Sequence, residues 1–181
     1  MKKAIIRLFF KLIGWKIDEA SLPKLQKCVI VVGPHTSNWD FIYGRLAFSL
    51  FGIQPKILIK SDLFFPPLGW ILKALGGIPV DRSKRNNITE QASKLFTEND
   101  QMYMVFTPEG TRNYNPNWKK GFYYIAQKAS VPIYICYIDF KTKTGGFHSQ
   151  FDPTGNVDED ILAIKKVLSQ FKGKFPEKGI I

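Results

Sequence analysis

Cysteine is scarce in this chain. Cys28 and Cys136 are the only two, both inside apolar runs, with no CxxC and no Cys/His cluster at zinc spacing. That excludes a disulfide scaffold and a zinc module, and it fits free thiols in a reducing compartment. Histidine offers little choice either, with His35 and His148 alone; His148 stands isolated in a hairpin-like stretch and carries no chemistry. No apolar run is long enough and free enough of charge to span a bilayer. No small-residue cleavage site follows the N-terminal apolar residues, so a removed signal peptide is not expected. No GxSxG elbow marks an acyl-enzyme nucleophile. Repeats, low-complexity tracts and linker-length polar stretches are missing too, so one domain is expected. Acidic residues are in deficit: 15 Asp+Glu against 26 Lys+Arg leave +11 over 181 residues. Such a charge selects anionic partners, whether nucleic acid, acidic membrane or acidic substrate, and says nothing of the fold.

The excess is concentrated at one end. Residues 1–27 hold seven basic side chains (Lys2, Lys3, Arg7, Lys11, Lys16, Lys24, Lys27) against Asp18 and Glu19. They are set among bulky apolar residues, AIIRLFFKLIGW. On a helix Lys3, Arg7 and Lys11 stack along one stripe while Ile5, Ile6, Phe9, Leu12 and Ile13 cover much of the rest. The spacing predicts an amphipathic helix over 1–16, suited to an anionic membrane interface and equally able to pack on the domain's own core. The remaining domain would run over 17–181.

Further along, CVIVVG (28–33), MYMVFT (102–107) and PIYICYIDF (132–140) are continuous apolar runs, the pattern of strands covered on both faces. PKILIK (55–60) and IPV (78–80) are further extended candidates, and a hairpin partner is expected around 146–151. Helical spacing marks 39–51, 70–75, 86–98, 120–129 and 158–171. Alternating strands and helices predict a single α/β domain, with a mostly parallel central sheet flanked by helices. The stretch SDLFFPPLGWILKAL (61–75) reads by its pattern as a core-facing helix and its lead-in.

Two polar clusters follow apolar strands directly: Pro34-His35-Thr36-Ser37-Asn38-Trp39-Asp40, and Thr107-Pro108-Glu109-Gly110-Thr111-Arg112. In one parallel sheet both loops open on the same edge, where such folds gather their chemistry. An imidazole is the natural general base near neutral pH, and a carboxylate on its other nitrogen fixes tautomer and orientation. His35 and Asp40 have those types. With no separate nucleophile, the pair fits direct attack by a substrate hydroxyl on an activated acyl group. The competing reading is local: Ser37-x-x-Asp40 matches a helix capping box. Arg112 offers the fork that matches phosphate or carboxylate, or else an ordinary surface pair with Glu109. Asp81-Arg82 repeats that theme. No nucleic-acid motif accompanies the positive charge, and no nucleic-acid partner is expected.

The order of these clusters resembles the glycerolipid acyltransferases of the lysophosphatidate acyltransferase type, the PlsC-like family. His35-Thr36-Ser37-Asn38-Trp39-Asp40 resembles its HX4D block. Lys60-Ser61-Asp62-Leu63, with Pro67, Gly69 and Gly77-Ile78-Pro79-Val80-Asp81-Arg82, resembles the second block. Phe106 to Arg112 is similar to the EGTR signature, and Val131-Pro132-Ile133 to the start of the fourth. The likeness runs from residue 28 to 137. It implies a glycerol-3-phosphate acyltransferase-like fold, with His35 as general base and Asp40 as its orienting partner. Arg82, Glu109, Gly110, Thr111 and Arg112, together with Ser37 and Lys60, are the implied substrate-binding set. Acyl-CoA or acyl-acyl carrier protein is the implied co-substrate, a lysolipid the acceptor, and no metal or prosthetic group is expected. With the free cysteines and the basic, apolar N-terminus, the expected place is the cytoplasmic face of an anionic membrane, peripherally. The likeness also lets 61–75 line an acyl channel or touch lipid. Pro34 stands where the family usually has Asn, and Ile135 where it often has a second Pro. Both departures leave the reaction type standing and bear on the acceptor.

Overall fold

The computed structural model describes residues 2–22, 25–81 and 85–180. Its centre is the first apolar run, strand β2 (Lys27–Gly33), in which Cys28, Val29, Ile30 and Val31 are wholly buried. A strand is buried on both faces only when layers cover both, and alternate side chains show which layer each meets. Val29 and Val31 face a core built with Phe96, Phe122, Ile125, Ile164 and Leu168. Cys28 and Ile30 face the opposite way, towards Phe48, Phe51 and Phe147.

Strand β1 (Lys16–Asp18) lies at one edge of the sheet. The others are β5 (Met102–Phe106), β6 (Ile133–Asp139) and β7 (Thr144–Phe151), with β3 (Ile57–Lys60) and β4 (Gly77–Val80) as a separate parallel pair. The order of the main sheet is β1-β7-β6-β2-β5. Strand β2 is parallel to both neighbours, while β6 and β7 form the expected antiparallel hairpin. Lys56 hangs the β3–β4 pair on the free edge of β5, its main chain bonding Tyr103 and Val105 at 2.8 Å each.

Among the described residues six helices complete the layers: α1 (Lys2–Leu12), α2 (Asn38–Phe51), α3 (Leu68–Ala74), α4 (Arg85–Glu98), α5 (Gly121–Ala129) and α6 (Val157–Leu168). Sequence chemistry explains their ends. Ser37 caps α2, and Gly52 closes it at φ +76°, a left-handed conformation open to glycine at little cost. Helix α6 starts at Asn156 with Asp158, Glu159 and Asp160 in its first turn and Lys165 and Lys166 in its last, both suited to its dipole.

Three local outcomes differ from the sequence reading. Helix α1 stops at Leu12, because Gly14 at φ +73° turns the chain and Trp15 folds back to bond Phe10 at 2.8 Å. Lys16–Asp18, expected to straddle the end of that helix, is instead the short edge strand β1 on β7. Three residues, two of them charged, give no period-2 signal. In 61–75, against the core-facing and channel-lining readings, Leu63, Phe65, Trp70 and Ile71 point outward, which leaves the lipid-contact reading open, while Phe64, Leu68, Leu72 and Leu75 are half-buried.

Helix α1 itself carries two apolar stripes. Ile6 and Phe10 are buried against Leu50 and Ile138. Ile5, Leu8 and Leu12, spaced three and four apart, are 67 %, 56 % and 77 % exposed, with Phe9 beside them. Among its cations, Arg7 grips Glu19 with two bonds of 2.8 and 2.7 Å. No helix among the described residues is long and apolar enough to cross a membrane.

Candidate active site

Strands β2 and β5 run in parallel with Val31 opposite Phe106, so the loops that leave them emerge side by side. The first loop turns through Pro34 into α2. Its His35 Nδ1 lies 3.1 Å from Asp40 Oδ2, and the same oxygen accepts the main-chain N–H groups of Thr36 and Ser37 at 2.8 Å each. With two N–H donors already on it, Asp40 Oδ2 acts as an acceptor. The proton shared with the imidazole therefore belongs on Nδ1, which leaves the Nε2 lone pair free. The Asp40 side chain is buried, whereas that of His35 reaches an opening.

Both sequence readings of Asp40 hold at once. The bond from Ser37 N–H to Asp40 is one half of a capping box, and the Ser37 hydroxyl accepts from Trp39 N–H at 3.2 Å. One carboxylate thus starts the helix and steers the imidazole. Ser37, expected to meet substrate, is instead buried and spent on the cap. A hydroxyl two positions after the His was legible in sequence; its direction was not.

The second loop brings Glu109 beneath the first. Its side chain is 2 % exposed, and its Oε1 accepts the main-chain N–H of His35 at 2.7 Å. Burial pushes its carboxyl up to about 7, against the His35 N–H bond and the nearby imidazole, which lower it; Asp40 adds to the rise. Glu109 was expected among the substrate-binding groups and is found as a buttress under the loop that carries His35. The turn after it needs Gly110: φ is +67°, and a Cβ there would press on the Lys119 side chain at 3.2 Å. Asn115 holds the turn from outside, its Nδ2 donating to the Glu109 carbonyl at 2.7 Å. Thr111 Oγ1 accepts from Asn113 N–H at 3.3 Å, inside the same turn.

Two cavities meet at the imidazole. One, of about 450 Å³, has Phe41, Ile42, Phe48, Ile57 and Val105 in its wall. The other, of about 880 Å³, is lined by Gly110, Thr111, Lys119 and Lys120 together with Phe106 and Ile125. His35 and Arg112 line both. Arg112 is exposed and has no hydrogen-bond or ion-pair partner among the described residues, so its fork is open to a ligand. Lys60 ends β3, its ammonium paired with Asp62, and lines neither cavity. Arg82 lies outside the described residues.

The C-terminal strap gave no sequence signal at all. Asp139 Oδ1 accepts the N–H groups of Lys141 and Lys172 at 3.1 Å each, and Phe140 N–H bonds the Lys172 carbonyl at 2.8 Å. From that anchor the chain crosses the catalytic loop: Phe175 N–H donates to Thr36 Oγ1 at 3.2 Å, and Lys174 sits 5.0 Å over the Trp39 ring. Gly173 is so close that a Cβ would lie 2.5 Å from Thr36 Oγ1. The contacts with Thr36 and Trp39 join residues more than 130 positions apart, which no local pattern encodes.

The "Acyltransferase" family model matches residues 16–139, the stretch that carries both loops and the strands beneath them. The chain belongs to the acyltransferase family. It is 32 % identical over 140 residues to the 1-acyl-sn-glycerol-3-phosphate acyltransferase of Saccharomyces cerevisiae, a match covering 72 % of this chain and 43 % of that protein. It is 29 % identical over 114 residues to the enzyme of that name from Streptococcus pneumoniae, covering 62 % and 42 %. This acyltransferase-family chain therefore spans less than half the length of those relatives. In fold it is similar to the crystal structure of the 1-acyl-sn-glycerophosphate acyltransferase PlsC from Thermotoga maritima, with a TM-score of 0.65 and 20 % identity, over 93 % of this chain and 76 % of that one.

Proposed function

We propose that this acyltransferase moves a fatty acyl group from acyl-CoA or acyl-acyl carrier protein to the free hydroxyl of a lysophospholipid. The first candidate acceptor is 1-acyl-glycerol-3-phosphate, with phosphatidic acid as product. The observation that carries the reading is the His35–Asp40 pair, with His35 in the wall of both cavities. The named relatives lend the substrate class.

The steps follow from the geometry. Asp40 holds the tautomer in which Nε2 accepts a proton. The acceptor hydroxyl gives its proton to Nε2 as its oxygen attacks the thioester carbonyl. The tetrahedral intermediate then collapses, the C–S bond breaks, and the leaving thiolate takes the proton back from Nε2. Among the described residues the imidazole bonds the side chain of Asp40 and no Ser or Cys, which supports direct transfer without an acyl-enzyme. Glu109 keeps the His35 backbone from drifting, which matters because small displacements of a base are costly in rate. Arg112 would hold the acceptor's phosphate, with Arg82 and the turn at Gly110 and Thr111 beside it. No cofactor enters; the thioester is the activated group.

A second acceptor class fits the same parts. A lyso amino-acid lipid presents a hydroxyl and a carboxylate, and an Arg fork grips either oxyanion. Work at a membrane's cytoplasmic face, held peripherally, is supported by the outward stripe of α1 and the net charge of +11.

The deciding experiment is acyl transfer by the purified protein, with lysophosphatidate, other lysolipids and both donor types. His35→Ala should keep the fold and lower transfer by about two to four orders of magnitude. Near-normal turnover in that variant would overturn the mechanism.

A further inference from the structure

We infer that Arg45 is a second anion grip in the 450 Å³ cavity, and that this cavity is the chamber of a single-chain anionic acceptor. The inference rests on the reaction proposed above and adds a residue and a place to it.

Arg45 lies on the inner face of α2. Asn38, Phe41, Ile42, Arg45 and Phe48 follow one another at helical spacing, and all five line the cavity. Arg45 is five residues beyond Asp40, so its Cα stands about 7.5 Å further along the helix axis than that of the carboxylate that orients the base.

The charge of this cavity is unbalanced. Arg45 is partly buried and has no hydrogen-bond, ion-pair or ring partner among the described residues. Arg112, in the same lining, has none either. Among the described residues the one acidic side chain that lines the cavity is Asp40, already committed to His35 and the backbone of the loop. The rest of the wall is mostly apolar. A guanidinium in such surroundings loses hydration without gaining a counter-charge, a state that costs free energy until an anion arrives. Two open guanidinium forks in an otherwise apolar chamber complement a molecule with one hydrocarbon chain and one oxyanion head.

The lysolipid has that form, with its anion a few bonds from the hydroxyl that must meet His35. The thioester donor does not: the phosphates of its pantetheine arm lie many bonds from the reacting carbonyl. The 880 Å³ cavity, which His35 also lines and which adds Lys119 and Lys120, suits that arm.

The test reads binding as well as turnover. Dodecyl phosphate, dodecanoate and dodecyl maltoside are titrated calorimetrically into wild type, Arg45→Gln and Arg45→Lys. Glutamine keeps the helix propensity of the site and removes the charge. Arg45→Gln should weaken dodecyl phosphate about ten- to hundredfold, the weight of a charge-assisted hydrogen bond, with Arg45→Lys in between and the maltoside unchanged. The order of phosphate and carboxylate tells which oxyanion the chamber favours. In transfer assays Arg45→Gln should raise KM for the anionic acceptor by a like factor and leave KM for acyl-CoA alone. Unchanged dodecyl phosphate binding in Arg45→Gln would overturn the inference, and so would a rise in KM for acyl-CoA alone. If wild type binds dodecyl phosphate through Arg45 but acylates no lysolipid, the anion site stands and the proposed reaction falls.

Discussion

The main-chain N–H of His35 donates to the carboxylate of Glu109 at 2.7 Å, across 74 positions of sequence. Through that bond the loop after β5 sets the position of His35 on the loop after β2. Asp40 contacts the imidazole, so His35 is held at its backbone by one carboxylate and at its ring by another.

Removing the buttress should damage both stability and rate. Glu109→Ala strands a buried N–H and opens a void, at a cost of about 1–3 kcal/mol for the unpaired donor alone. Glu109→Gln keeps an oxygen acceptor in place. Urea unfolding should place the Gln variant near wild type and the Ala variant well below it. In transfer assays kcat should fall about tenfold or more for Ala, with KM for both substrates little moved.

The same carboxylate gives stability a pH dependence of unusual sign. Its folded value of about 7 lies above the ordinary 4.5, so the folded protein holds a proton that the unfolded chain releases. Stability from this group is therefore full below about pH 4.5, falls as pH rises to about 7, and is level beyond, by at most about 3 kcal/mol. Unfolding free energies measured from about pH 4.5 to about pH 7.5 should show that decline in wild type and a flatter profile in Glu109→Gln.

Arg112→Ala should separate the two substrates. Arg112 lines both cavities without a partner among the described residues, so its loss changes ligand contacts and leaves packing intact. The expected result is a rise of about tenfold or more in KM for the anionic acceptor with KM for the donor nearly constant. Equal loss for both would remove it from the headgroup.

The strap is testable at its tightest point. Gly173→Ala puts a methyl 2.5 Å from Thr36 Oγ1, which must push the strap or the catalytic loop aside. A loss of about 1–3 kcal/mol is expected from such overpacking. A fall in kcat alongside it, measured well below the unfolding temperature, would show that the shift reaches His35, the adjacent residue in the loop.

Helix α1 should divide into two faces by experiment. Leu8→Glu with Leu12→Glu changes the outward stripe and should weaken binding to anionic vesicles about tenfold or more, with little change in melting temperature. Phe10→Ala, on the buried stripe, should cost about 3–5 kcal/mol instead. Vesicle binding unchanged by the double substitution would remove the membrane role from this helix.

Much of the fold was legible because it rests on local pattern. The apolar runs at 28–33, 102–107 and 132–140 read as covered strands, and helical spacing marks 158–171, where the helix runs from Val157 to Leu168. Strand β1 was not, since its three residues pair only because β7 offers an edge. The outward turn of the apolar residues in 61–75 was hidden for a related reason: composition shows that a side chain is apolar, while its direction depends on where the neighbouring layers lie.

For the site the division is sharper. Sequence by itself determined which chemical groups are present and which strands deliver them: a base and a carboxylate after β2, and a glutamate, a glycine turn and an arginine after β5. It could do so because each loop is short and its residues are neighbours along the chain. Only the tertiary structure decided what each group faces. It turned Ser37 into a cap, Glu109 inward under His35 and Lys60 away to Asp62, and it left Arg45 and Arg112 unpaired among the described residues in a cavity that His35 also lines. The direction of a side chain comes from the burial and hydrogen-bond partners that distant segments provide. Those partners exist only once the chain has closed on itself.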